Sequence, residues 1–188
     1  MGALPEWMLS LPKEGITAEH YDQMPVEDCR NIEIVDGRIV VCPSQTPHHN
    51  LIALRLTHDL DRQLPEPWQV TSHVDLRISE FPLTNRRPDI LVFRGNPDEL
   101  PIVPTNVLLA AEIMSQSSVS TDRLDKPAEY ASAGIPYFWR FELEGDELIA
   151  YTYICDSTTK TYGEPDVHKL TLKTARPFPI EIDLAALL

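Results

Sequence analysis

The sequence predicts an α/β (α+β) fold: a mixed central sheet flanked by helices, with a β-hairpin near the N-terminus. Three observations carry that expectation. Asn31-Ile-Glu-Ile-Val35 and Arg38-Ile-Val-Val41 are short β-branched runs on either side of Asp36-Gly37, a dipeptide suited to the left-handed central positions of a type I′ turn. Two apolar runs of strand length, Ile90–Phe93 and Val107–Met114, are bounded by Pro and Asn. From Pro47 onward Ile52, Leu56, Leu60 and Leu64 recur every fourth residue, with Ala53 completing an apolar stripe that Pro65 ends.

The other elements follow from the same periodicities. Thr17 is a suitable cap for a short helix over Thr17–Met24, stopped by Pro25. Alternation from Trp68 to Ser79 predicts one long half-buried strand with His73, Asp75 and Arg77 on its polar face, solvated or mutually paired. Phe81–Arg87 reads as a loop. Pro127 is tolerated only in a first helical turn, so a helix is expected from Asp125, with Asp122 or Asp125 as its cap, to Ala133 before Gly134-Ile-Pro136. Strands are expected over Tyr137–Phe141, Leu148–Ile154, Val167–Leu172 and Ile180–Asp183, and a terminal helix capped by Asp183. Trp7, Leu9 and Leu11 are candidates for packing on the domain, and 115–121 is a polar bridge. With no repeat, low-complexity tract or linker in 188 residues, a single domain over 1–188 is the expectation.

Composition bounds the function. A content of 43% apolar and 24% charged residues is that of a water-soluble globular chain, and 17 prolines against 7 glycines indicate stiffened loops. The net charge of −13 argues against a protein that grips nucleic acid through its overall field, so any such contact must be local. Arg86-Arg87 is the conspicuous basic pair. Cys29, Cys42 and Cys155 are far apart and odd in number, which favours reduced thiols. No signal region or apolar run of membrane length is present, so a cytoplasmic, membrane-free protein is expected.

The informative residues are acids in apolar places. Asp89 opens one run and Glu112 lies near the end of the next. A carboxylate in a buried strand loses hydration that only a cation or strong hydrogen bonds can replace. Two such acids on neighbouring strands point to a site for a hard divalent cation. Asp at the mouth of one strand and Glu in the next is the skeleton of PD-(D/E)XK nucleases, with Pro88-Asp89 and Glu112-Ile113-Met114 as its halves. Met114 stands where that pattern has Lys, and Lys126 on the following helix is the candidate replacement. Taken alone, Glu33 reads equally as a solvated strand acid, His48 and His49 as surface residues of a helix start carrying neutral imidazoles, and Lys126 as a solvated lysine.

The chain resembles the Uma family of restriction-endonuclease-like proteins. The resemblance rests on Ile32-Glu-Ile-Val-Asp-Gly37, Pro47-His-His49, Arg87-Pro-Asp-Ile-Leu-Val92, Ala111-Glu-Ile-Met-Ser115, Asp122-Arg-Leu-Asp-Lys126 and Tyr130-Ala-Ser-Ala-Gly-Ile-Pro-Tyr-Phe-Trp139, in family order across roughly 17–155. It implies a restriction-endonuclease-like fold and metal-assisted phosphodiester hydrolysis. Mg²⁺, or Mn²⁺ in its place, would be held by Asp89, Glu112 and the Ile113 carbonyl. Glu33 would be a third acid, Lys126 would orient water or neutralise phosphate, and His48, Arg87 and Tyr130 would support the site or the substrate. The expected partners are nucleic acid, DNA foremost, and further copies of the chain in a homodimer or larger homo-oligomer. Met114, and Gln116 where the family has Pro, depart from its pattern without removing a metal ligand. The rival reading is a non-catalytic assembly or protein-binding module of the same fold, which the acidic charge favours.

Overall fold

The turn at Asp36-Gly37 forms as its dipeptide dictates. In a computed structural model describing residues 15–115 and 121–188, Asp36 and Gly37 take φ of 50° and 74° and join β1 (Ile32–Val35) to β2 (Arg38–Val41) in register, Val35 opposite Arg38. Trp7, Leu9, Leu11 and most of the expected polar bridge lie outside the described residues.

Two compact units share these residues, the first holding 15–44 and 77–86. In it, Thr17 caps α1 (Ala18–Asp22) by accepting from the His20 amide, and α2 (Val26–Cys29) follows Pro25. The chain leaves for α3 (Pro47–Asp61) and β3 (Gln69–Thr71) of the second unit and returns through β4 (Leu76–Glu80) and β5 (Leu83–Arg86). The hairpin expected within the central sheet instead forms a separate sheet in the order β2-β1-β5-β4. The expected Phe81–Arg87 loop contains β5, whose four residues are all buried. Polar residues are tolerated there because they are paired: Arg77 donates to Asn85 (3.2 Å), and Arg86 donates to Glu33 (2.8 Å). Ile16, Tyr21, Ile32, Ile34 and Leu83 form this unit's core.

The second unit is built on a mixed sheet ordered β10-β9-β8-β7-β6-β3, with β11 also on β9. Its members after β3 are β6 (Ile90–Phe93), β7 (Val107–Ile113), β8 (Tyr137–Glu144), β9 (Glu147–Asp156), β10 (Thr161–Tyr162) and β11 (Asp166–Lys169). β6 and β7 are antiparallel neighbours; β7 and β8 are parallel. A parallel pair needs a crossover, supplied here by α4 (Lys126–Ser132). Residues alternate between faces. Ile90, Val92, Leu109, Ala111, Ile113, Trp139, Phe141 and Ala150 meet Ile52, Ala53, Leu56 and Leu60 of α3. Tyr130 of α4 meets Phe138 on the opposite face, with ring centroids 5.9 Å apart. Fully buried Leu56 shows the scale: truncation to Ala would cost ~2–5 kcal/mol.

Two further boundaries differ from expectation. The single strand over Trp68–Ser79 is two, because the chain bends at Ser72–Asp75, where His73 takes φ of 52°. Val167–Leu172 likewise divides at Leu170 (φ 63°) into β11 and β12 (Thr171–Thr174), and β12 pairs with β13 (Ile180–Asp183). Asp125 stands at the N-cap position of α4 without a side-chain cap hydrogen bond, because a wide π-type turn over Thr121–Asp125 runs directly into the helix. Asp183 does cap the terminal turn, accepting from the Ala185 amide at 3.0 Å.

Candidate active site

The site takes shape at the β6–β7 junction of the second unit. Ile90 pairs with Ala111, so extending the antiparallel register by one residue sets Asp89 across from Glu112. Glu112 reaches α4, and both carboxylates are buried, at 6% and 1% exposure.

Asp89 is held rigidly. Its Oδ2 accepts the Ile113 N–H at 2.8 Å and lies 3.2 Å from His49 Nε2. That nitrogen is also 2.9 Å from the Ile113 carbonyl oxygen. Both neighbours are acceptors, so Nε2 carries the proton and donates. His73 Nδ1 stands 3.8 Å from Oδ1. Glu112 is equally engaged: Lys126 Nζ donates to Oε2 (2.9 Å) and Tyr130 donates to Oε1 (2.7 Å). Lys126 also pairs with buried Asp122 at 3.1 Å.

These partners set the charges. Burial pushes the Asp89 carboxyl up, but His49, the charge of Lys126 and the Ile113 amide together hold it below its ordinary 3.8. Burial pushes Glu112 well above 4.5; Lys126 opposes this, while Asp89 and Asp122 add to it. Burial would lower His49, yet Asp89 and the Ile113 carbonyl raise it above 6.5. His73 is lowered, chiefly by burial.

Of the residues singled out from the sequence, Asp89, Glu112, Ile113, Lys126 and Tyr130 come together here. His48 is exposed, and its neighbour His49 makes the contacts. Arg87 turns to the bend before β4, donating to the His73 carbonyl (2.7 Å) and pairing with Asp75 (3.3 Å). Glu33 belongs to the first unit, where Arg86 holds its carboxylate. Asp122, His49 and His73 are the contributors that sequence reasoning did not place. A signal existed for His49: extending the stripe of Leu60, Leu56 and Ala53 back one turn lands on it. No period marks His73, which sits at a bend.

The arrangement offers oxygen donors to a hard cation. Among the described residues no three His, Cys, Asp or Glu side chains form a cage of their own. Mg²⁺ asks for less, commonly one or two carboxylates with water completing its shell. Asp89, Glu112 and the Ile113 carbonyl meet that requirement in donor type.

Comparison with known proteins bears on the family and the fold. The family Uma2, described as "Putative restriction endonuclease", matches residues 18–185. A solved structure described as "a putative nuclease belonging to DUF820 from Anabaena variabilis ATCC 29413" superposes with a TM-score of 0.69 at 16% identity. That alignment covers 92% of this chain and 97% of the other, a likeness of fold. No curated protein matches. Among the described residues, no helix is long and apolar enough to cross a membrane.

Proposed function

Since the chain belongs to the Uma2 family of restriction-endonuclease-like proteins, we propose that its buried acid cluster hydrolyses phosphodiester bonds of nucleic acid, DNA foremost, with a divalent cation. The observation that supports this most is the facing pair of Asp89 and Glu112 with Lys126 seated on Glu112.

Asp89, Glu112 and the Ile113 carbonyl would hold Mg²⁺ or Mn²⁺. Bound there, such an ion polarises a phosphate and lowers the pKa of a coordinated water. The chain's own groups do the rest. His49 fixes both Asp89 and the Ile113 carbonyl through one nitrogen, keeping two oxygen donors in a set relation. Tyr130 does the same for Glu112. Lys126 is the group placed to orient water or to offset charge developing on a phosphate oxygen. It reaches this position from α4, which explains how Met114 is tolerated where the nuclease pattern has Lys. In solution a homodimer would add a second such site and a longer surface for a polyanion.

One observation favours a non-catalytic module instead: Lys126 and Tyr130 already engage both Glu112 oxygens, so the network is satisfied without a metal. Cleavage separates the two readings. Labelled single-stranded and duplex DNA and RNA, incubated with Mg²⁺ or with EDTA, should be cut only with the metal. Absence of cleavage on every substrate would leave the module.

A further inference from the structure

Beside the acid cluster, on the same face of the sheet, lies a pocket of about 350 Å³. Arg123, Arg140 and Lys160 border it, and Pro127, Ala128, Ala131, Tyr153 and Tyr162 give it an apolar lining. Three cations at one place are notable in a chain of net charge −13. Glu142 offsets one of them, pairing with both Arg123 and Arg140. Asp156, on the hairpin that carries Lys160, turns its carboxylate to the amides of Thr158 and Thr159 (2.7 and 3.2 Å). The pocket therefore brings three cations together, two of them sharing the single acid Glu142.

Its position ties it to the candidate active site. Arg140 on β8 is in register with Glu112 on β7, one strand spacing away, or about 4.8 Å. α4 serves both places: Lys126 and Tyr130 face Glu112, while Pro127, Ala128 and Ala131 face the pocket. The aromatic side is built firmly. Phe138 packs on Tyr153 and Tyr162 at 5.5 and 5.6 Å, Tyr162 donates to the Ile135 carbonyl at 2.9 Å, and the Arg140 guanidinium lies 5.4 Å from the Tyr153 ring centre. Positive charge around an apolar, aromatic lining is complementary to a phosphate carrying a flat base.

We propose that this pocket receives one nucleotide, its base against Tyr153 and the α4 side and its phosphate among Arg123, Arg140 and Lys160, next to the phosphodiester held at Asp89 and Glu112. The inference rests on the phosphodiesterase reading and names where its substrate is gripped. It also resolves the conflict of charge: an acidic protein holds a polyanion by concentrating its cations at one pocket.

The test is binding without chemistry. Fluorescein-labelled octathymidylate is titrated with the full chain in EDTA and followed by anisotropy at about 50 mM salt, where phosphate contacts count most. Lys160→Glu should weaken binding by about tenfold or more, whereas Lys173→Glu, the same charge change on exposed β12, should stay within about twofold. Tyr153→Leu, by removing the ring, should weaken binding about tenfold, and thymidine 5′-monophosphate should compete. No binding by the wild type, or equal losses in the two lysine variants, would overturn the proposal. So would displacement by a polyglutamate peptide but not by the nucleotide, which would assign the pocket to an acidic peptide. Cleavage, read separately with Mg²⁺, keeps the two claims apart. Cleavage by the wild type with unchanged binding in Lys160→Glu ends the pocket alone; selective loss of binding without any wild-type cleavage ends the phosphodiesterase reading alone.

Discussion

Replacing Lys126 with Met should destabilise the protein strongly, and the structure gives the scale. The ammonium lies 2.9 Å from Glu112 Oε2 and 3.1 Å from Asp122 Oδ1. Both carboxylates are nearly inaccessible, at 1% and 2% exposure. Methionine keeps most of the stem's volume, so the loss is chiefly electrostatic. Removing one partner of a buried ion pair costs ~3–5 kcal/mol, and at this chain length each kcal/mol lowers Tm by ~2–4 °C. The expected fall is therefore about 6–20 °C. Its pH dependence follows from Glu112, whose folded pKa is already raised above 4.5. A carboxyl raised on folding costs stability as pH rises through its folded value. Without Lys126 that value goes higher still, so the deficit should be larger at about pH 8 than at about pH 5. Millimolar Mg²⁺ should restore part of it, because a cation would meet the charge that Lys126 leaves. Thermal melts by circular dichroism at both pH values, with and without Mg²⁺, measure all three effects. A loss under ~1 kcal/mol, or a deficit that grows on acidification, would refute the reasoning.

Other substitutions probe neighbouring links. Asp89→Asn should abolish cleavage and any Mg²⁺-linked rise in Tm. Asp89→Ala should in addition lose ~1–3 kcal/mol, since it strands the Ile113 N–H that Oδ2 accepts, and the difference between the two variants in urea unfolding measures that bond. His49, raised above 6.5 in the fold, stabilises fully below pH 6.5 and loses that contribution as pH rises through its folded value; the Tm gap between wild type and His49→Gln should narrow above neutrality. Asp89, held below 3.8, stabilises above that value and loses its contribution as pH falls below it. In the first unit, Arg86→Met should cost ~3–5 kcal/mol by leaving Glu33 buried without Arg86, and Glu33→Leu added to it should recover most of the loss in a double-mutant cycle.

The buried acids were more legible in the sequence than some of the topology. Asp36-Gly37 announces its hairpin because few residues accept two successive left-handed positions. Asp89 and Glu112 announce themselves because a carboxylate inside an apolar run has no structural reason to be there. Lys126 could be named from its sequence place after Glu112, but its bond to Glu112 needed the crossover that returns α4 to the β7 face. β5 was hidden because Thr84, Asn85 and Arg86 look like loop residues; burial is affordable to them only through partners far along the chain. The bend at His73 was hidden for the opposite reason, since the alternation of residue types runs on through the break. Separating His49 from His48 required only the helical phase of the apolar stripe. The cationic pocket draws Arg123, Arg140 and Lys160 from three elements, so no local motif marks it.

In the proposed mechanism Asp89 and Glu112 would together hold a divalent cation. Calorimetric titration of Mg²⁺ into the metal-free protein near neutral pH tests it most directly, with Asp89→Asn as the comparison. The expected result is a saturable heat fitting about one site per chain, absent in the variant. A wild type that gives no heat beyond dilution, or an Asp89→Asn protein that binds Mg²⁺ as well as the wild type does, would contradict it.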